Sequence, residues 1–453
     1  MMKQDIARWS VAVLATVVVA SSAWAAIPIE HWTQAGGARV YLVQSRSLPM
    51  VDVQIDFDAG SRRDPADKAG LANVTAGMAS RGVRASTAGP ALDENGLGEA
   101  WADLGASFGA SASSDRMGFS LRSLTDPVLL PRVIALAARQ LGEPSFPAEI
   151  WQREREQIVA SIRESNTRPA TVANQAFAAS VYGDHPYGAR PTEISLAGIG
   201  VDDMSALYQR AIRACRAKVS IVGDVSREQA DALVNGLFAR LGAQAGGVAC
   251  APLPPVPEVA LLTQPVATQS IPFDSAQAHV LIGQPGIRRN DPDFLALTVG
   301  NYVLGGGGFV SRLYAEVREK RGLSYSVYSY FSPGLHAGAF SVGLQTRPDQ
   351  AAQAIAVVRE IVARFVQEGP SEQEMQAAKS NLIGGFALRL DSNRKLLDNV
   401  ANIAWNDLPL DYLDTWTAAV DRLTVADVKA AFGRVLRPQA MVTVVVGARD
   451  KAP

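Results

Sequence analysis

This chain reads twice, and that constrains its fold more than any other feature. Near the start, VDVQIDFDAGSRRDPAD alternates apolar and polar residues as a half-buried strand does, turns at Gly60 and enters a helix. AQAHVLIGQPGIRRNDPD repeats the pattern, with Gly286 followed by Arg288, Arg289 and Pro292 as Gly60 is followed by Arg62, Arg63 and Pro65. Each half also closes alike, in AKVSIVGDV around Gly223 and AMVTVVVGA around Gly447. The offsets, 226 residues from Gly60 to Gly286 and 224 from Gly223 to Gly447, nearly coincide, as a duplicated domain requires. Between the halves, Pro252, Pro254, Pro255 and Pro257 exclude helix and central strand. A first domain is therefore expected over 26–240, a linker over 241–270 and a second domain over 271–453. Amphipathic helices are expected at 147–164, 202–213, 349–367 and 371–390. LSYSVYSYF and GAFSVGLQT, joined by SPGLHA, read as an antiparallel hairpin. The expected class is α+β: two homologous domains, each a mainly antiparallel sheet covered by helices on one face.

Residues 1–25 stand apart. Lys3 and Arg8 precede the apolar run VAVLATVVVA, and small residues follow at Ala23 and Ala25, the pattern of a secretory signal peptide cleaved before Ala26. Ten apolar residues are too few for a ~30 Å hydrocarbon core, which takes about 20, so no membrane span is expected after cleavage. The chain is expected to be periplasmic or secreted. The 43 Lys and Arg nearly balance the 44 Asp and Glu, and without a basic block there is no footprint for nucleic acid. In an oxidising compartment the two cysteines, Cys215 and Cys250, either pair or stay reduced and buried; the sequence leaves both open.

Few residues invite chemistry. His31, His185, His279 and His336 are scattered, and none has a second histidine or an acid at the spacing that puts two ligands on one helical face. GASFG, 105–109, matches the nucleophile pattern around Ser107, but a helical segment precedes it and an alternating one follows, the reverse of a strand-to-helix elbow. The strongest constellation is LGGGGFVSRLYAEVREKRGLSYSVYSYF, 304–331. Its glycines allow close backbone approach, Ser311 can cap a helix that Gly322 ends, and a strand follows. Arg318 near the helix end and Tyr325 on the strand are separated by a chain reversal that lets them converge. Guanidinium and phenol together can hold a peptide carbonyl and stabilise charge developing on its oxygen. The plainer alternative is a solvated REKR face with tyrosines packing the sheet.

The order of AGSRRDPADKAGLANVTAGMASRG, EREQIVASI, DHPYG, IVGDV and the 304–331 segment resembles the pitrilysin/insulinase family of zinc metallopeptidases, in the branch of two-domain chains that work as dimers. The resemblance implies that Arg318 and Tyr325 are substrate-binding residues of the second domain. It also locates a loss. Active members carry H-x-x-E-H, two histidines holding zinc and a glutamate activating water. In GLANVTAGM, Asn73 and Gly77 take the histidine positions and Ala76 the glutamate. The third ligand, a glutamate, aligns with Ser161 if Glu154 matches the first acid of EREQIVASI. The resemblance thus implies no catalytic residue acting on its own, no metal or cofactor in this chain, and zinc in a partner subunit of the same family. The expected function is that of a non-catalytic subunit of an exported heterodimeric peptidase acting on extended peptides. The alternative is an inert peptide-binding or scaffold protein of the same fold.

Overall fold

The computed structural model describes residues 27–241 and 250–447; the leader and part of the expected linker lie outside the described residues. The first half builds a six-stranded sheet from β1 (Glu30–Thr33), β2 (Arg39–Gln44), β3 (Met50–Phe57), β4 (Ser107–Ala112), β5 (Met117–Leu124) and β6 (Lys218–Gly223), in the order β1-β2-β6-β3-β5-β4. The second builds a five-stranded sheet from β7 (Gln269–Ile271), β8 (Ala278–Pro285), β9 (Val327–Phe331), β10 (Ala339–Thr346) and β11 (Val442–Val446), in the order β7-β11-β8-β10-β9. Neighbours pair antiparallel except β2 with β6 and β7 with β11. The expected hairpin is β9 and β10. The helix expected at 371–390 ends earlier, at Gly384, where consecutive glycines weaken it and only a single turn, Ala387–Arg389, follows.

Alternation in β3 sorts its residues. Val51, Val53, Ile55 and Phe57 point to one face and are fully buried against α1 (Leu71–Met78), α3 (Leu129–Gly142) and neighbouring helices of the same half. The other face corrects the expectation of helices on one side only. Asp52 and Asp56 on β3 and Lys218 on β6 read as solvent-facing, yet all three are buried, because the helix Asn393–Trp405 of the second half lies across them. Lys218 Nζ donates to the carbonyls of Ala404 (2.7 Å) and Trp405 (2.9 Å) and to Asp407 Oδ1 (2.9 Å), so a cation from one half closes the C-terminus of a helix from the other. Burial pulls its ammonium below the usual lysine range.

The exchange is mutual. Helix α5 (Pro169–Tyr182) of the first half lays Ala173, Phe177 and Val181 on Leu281, Val442, Val444 and Val446 of the second sheet. Gly283 on β8 is needed there, since a Cβ would stand 2.8 Å from the Phe177 ring and 2.1 Å from the Phe340 carbonyl. The two exchanged helices begin at Pro169 and Asn393, again 224 residues apart, so equivalent elements of the duplication cover each other's sheets. Cys215 and Cys250, left open by the sequence, are joined as a disulfide, and the segment after Cys250 is held by carbonyl contacts from Arg216 to Ala251 (2.6 Å) and from Arg63 to Pro254 (2.8 Å).

Candidate functional site

Helix α1 carries three of the positions where the sequence implies lost ligands. Asp64 shapes its start, accepting from Gly70 N and Ala72 N at 2.9 Å each, and Gly70 supplies the left-handed backbone (φ 105°) that turns the chain into the helix. Asn73 and Gly77 lie one turn apart on the exposed side, whereas Ala76, 1% exposed, is built into the core. Facing them is α4 (Ala148–Ser165), and the two helices enclose a cavity of about 280 Å³ lined by Asn73, Val74, Gly77, Trp151, Glu154 and Ile158, among others. Ser161 on α4 is exposed and is not in that lining. Glu154, the one carboxylate in the lining, already faces Arg81 and Arg153, each at 3.2 Å. An amide, a methyl, a glycine and an outlying hydroxyl do not make a zinc site. Among the described residues no group of three or more His, Cys, Asp and Glu is placed to hold a metal ion.

Restoring only Asn73→His, Ala76→Glu and Gly77→His is therefore expected to leave the chain without efficient peptidase activity. Two protein ligands fall short of the usual three, and Glu at 76 forces a carboxylate into the α1 core. Peptide digestion by the triple variant at the rate of an active relative would contradict this placement of the ligands.

Burial pushes the Asp64 carboxyl up to about 6, outweighing the opposing backbone donors of Gly70 and Ala72. An unfolded aspartate titrates near 4, so between about pH 4 and 6 the folded chain binds more protons and stability falls as pH rises through that window. The loss is on the order of 3 kcal/mol from this one group. Denaturation of wild type and Asp64→Asn at pH 4 and 6.5 is expected to show that loss in wild type and its absence in the variant; equal pH dependence would contradict it.

The second constellation lies in the other half. The glycine run is explained by packing: a Cβ at Gly305 would fall 2.4 Å from Ser329 Oγ on β9, and one at Gly307 2.5 Å from the Tyr302 carbonyl. Asn301 fastens the same contact, its amide donating to Ser329 O (3.0 Å) and accepting from Ser329 Oγ (2.7 Å). Ser311 caps the following helix through Tyr314 N (3.4 Å), and Gly322 (φ 62°) ends it. Over Tyr314–Glu319 the turns widen to the π type, an irregularity frequent at functional sites. Arg318 leaves this segment with its guanidinium 4.9 Å from the Tyr325 ring centre, 4.7 Å from Tyr314 and 5.9 Å from Phe309. Tyr325 lies two residues before β9, not on it as the sequence suggests, and this frees it to stand 82% exposed beside Arg318. Together they border a cavity of about 610 Å³. Among the described residues no carboxylate pairs with Arg318. The plainer reading holds for its neighbours: Lys320 and Arg321 both pair with Glu316, and Tyr328 and Tyr330 stack on the sheet.

Sequence reading missed a third cluster, where the halves meet. His185 and His336, far apart in the chain, have ring centres 5.3 Å apart. His185 Nδ1 accepts from Tyr187 N (3.1 Å) and Nε2 faces the Pro257 carbonyl (3.0 Å), so the ring is neutral with its proton on Nε2, and burial lowers its pKa. Asp115 accepts from Arg62 Nε (3.0 Å), Tyr187 OH (2.6 Å) and Leu335 N (2.9 Å), while Glu258 accepts from Ala337 N (2.9 Å) and pairs with Arg288. DHPYG was the one sequence signal of this cluster. A chamber of about 530 Å³ opens beside it, bounded by Asp64, Asn73, Asp115, Tyr187 and Arg190 from the first half and by 332–334 from the second. The His31 ring lies 4.4 Å from that of Tyr41, tilted by 31°, and His279 lies on β8. Ser107 opens β4, after helix α2 (Glu94–Asp103) and not before a helix.

A family model described as Insulinase (Peptidase family M16) matches residues 39–192, and one described as Peptidase M16 inactive domain matches 198–382. A crystal structure titled peptidase M16 inactive domain, from Pseudomonas fluorescens, is 33% identical, covers 93% of this chain and 98% of its own, and superposes with a TM-score of 0.85. A Streptomyces coelicolor protein named an uncharacterized zinc protease is 27% identical over 429 residues, 93% of this chain and 90% of that one. The periplasmic protease PqqL of Escherichia coli shares the fold at 19% identity and a TM-score of 0.78, this chain spanning 92% of its own length and 45% of that protein.

Proposed function

We propose, from the premise that this chain belongs to the insulinase family (Peptidase family M16), that it is the non-catalytic subunit of an exported heterodimeric zinc peptidase. In this reading a partner of the same family supplies zinc and the water-activating glutamate, and this chain supplies Arg318 and Tyr325. The observation that carries the reading is the contrast between the two constellations. Helix α1 keeps its packing and, among the described residues, has no ligand set, while Arg318, which pairs with no carboxylate among those residues, holds its guanidinium over an exposed phenol at the mouth of a cavity. Such a pair suits an extended peptide: the guanidinium and the phenolic hydroxyl donate to a carbonyl oxygen, and both interactions strengthen as charge develops there. Export rests on the leader expected at 1–25 and agrees with a neighbour described as periplasmic. No helix among the described residues is long and apolar enough to cross a membrane.

Isolation of the chain from its source cells tests the pairing. A family member with an intact H-x-x-E-H in one-to-one ratio is the expected companion. Recovery of the chain alone, or with unrelated proteins, would favour an inert scaffold.

A further inference from the structure

No ion pair holds the Arg318 side chain. Glu316 on the same segment is taken by Lys320 and Arg321, and among the described residues no carboxylate pairs with the Arg318 guanidinium. Three aromatic rings surround it instead, and they are not equivalent. Phe309 is 75% exposed and Tyr325 82%, so neither is fixed by burial, whereas Tyr314 is 6% exposed, with its ring centre 4.7 Å from the guanidinium. Tyr314 opens the π-type stretch and Arg318 follows four residues later, the spacing that brings two side chains together on one helical face. The backbone there is anchored, since the flanking Leu313 and Val317 are fully buried in the core of the second half. The Tyr314 hydroxyl anchors nothing. It is buried with no hydrogen-bond partner among the described residues, which costs stability, so the ring and not its polar end accounts for an aromatic residue at this position.

We propose that Tyr314 is a positioning residue: its buried ring is the fixed seat that holds the Arg318 guanidinium at the border of the 610 Å³ cavity. Attraction between a cation and an aromatic face is strongest where water is kept away, and of the three rings this one alone is shielded. A guanidinium seated before a carbonyl arrives needs little reorganisation when charge develops on the oxygen, which is how a preorganised donor lowers a barrier. Tyr314 acts through Arg318 and needs no contact with substrate. Its effect on turnover rests on the reading of Arg318 as a substrate-binding residue, but the seat itself is a property of the free chain.

The seat is read first in the mature chain alone, by magnetic resonance with isotopically labelled arginine. The Arg318 Nε–H signal, assigned by its loss in Arg318→Ala, is expected upfield of that of a free arginine, as for a proton over an aromatic face. Tyr314→Leu should move it back toward the free position, and Tyr314→Phe, which keeps the ring, should leave it in place; Tyr314→Met replaces Tyr314→Leu if the latter does not fold. Turnover is then measured in the complex with the zinc-bearing partner. Tyr314→Leu is expected to lower kcat about tenfold with KM little changed, and Tyr314→Phe to restore turnover to within about twofold of wild type. Combined with Arg318→Ala, Tyr314→Leu should cost nothing further, whereas a tyrosine that merely packed the helix would add its own loss. A signal unmoved by removal of the ring, an equal fall in kcat for Tyr314→Phe, or additive losses would each overturn the proposal. If Arg318→Ala itself leaves turnover unchanged, the subunit reading fails and the signal alone decides the seat.

Discussion

Replacing Arg318 with Ala, or Tyr325 with Phe, is expected to lower peptide turnover by the assembled complex about 10²–10³-fold, roughly 3–4 kcal/mol of transition-state stabilisation per donor. Folding and assembly should survive. Arg318 joins no salt bridge among the described residues, and Tyr325 is largely exposed, so neither is a structural keystone. Tyr325→Phe is the sharper variant because it keeps the ring beneath the guanidinium, 4.9 Å away, and removes only the hydroxyl. Lys320→Ala is the control: its ammonium pairs with Glu316 at the surface, and its loss should leave turnover unchanged. Steady-state kinetics beside gel filtration of the complex check the set. Unchanged kinetics for both Arg318→Ala and Tyr325→Phe would remove this chain from the chemistry and leave the scaffold reading.

The second large effect is on stability. Asp115→Ala is expected to destabilise the chain by about 3–5 kcal/mol, the range for breaking a buried ion pair from one side. The Arg62 side chain is only 3% exposed and would keep Asp58 alone as a charged partner, while Tyr187 OH and Leu335 N would each lose an acceptor. Because Leu335 belongs to the second half, the loss also loosens the junction. Asp115→Asn, which retains an acceptor oxygen, should cost less. Urea denaturation of the three proteins at one pH measures both effects, and a change below about 1 kcal/mol for Asp115→Ala would show that the junction does not depend on this hub.

The parts of this account that were legible in the sequence are those written in local patterns. Alternation gave β3 and the β9–β10 hairpin, a spaced pair of glycines gave the duplication, and the segment around Arg318 and Tyr325 pointed to two side chains that do meet. What was not legible depends on contacts between distant segments. Asp52, Asp56 and Lys218 read as the wet side of a sheet because nothing nearby in the chain announces that Asn393–Trp405 will cover them. His185 and His336 looked isolated for the same reason; their meeting is made by two loops, one from each half. Tyr325 was misplaced by two residues because SYSVYSYF alternates throughout, whereas pairing with β10 begins only at Val327. The cavity at Gly77 could not be foreseen either, since a lost side chain can leave a void or a collapsed contact with the same sequence.

The division of labour is tested most directly by metal analysis and peptide digestion of the pure chain, of its co-purifying partner and of the two recombined. The account predicts no stoichiometric zinc and no cleavage for this chain alone, one zinc per recombined pair carried by the partner, and chelator-sensitive cleavage by the pair. One zinc per molecule of this chain, with chelator-sensitive cleavage in the partner's absence, would contradict it.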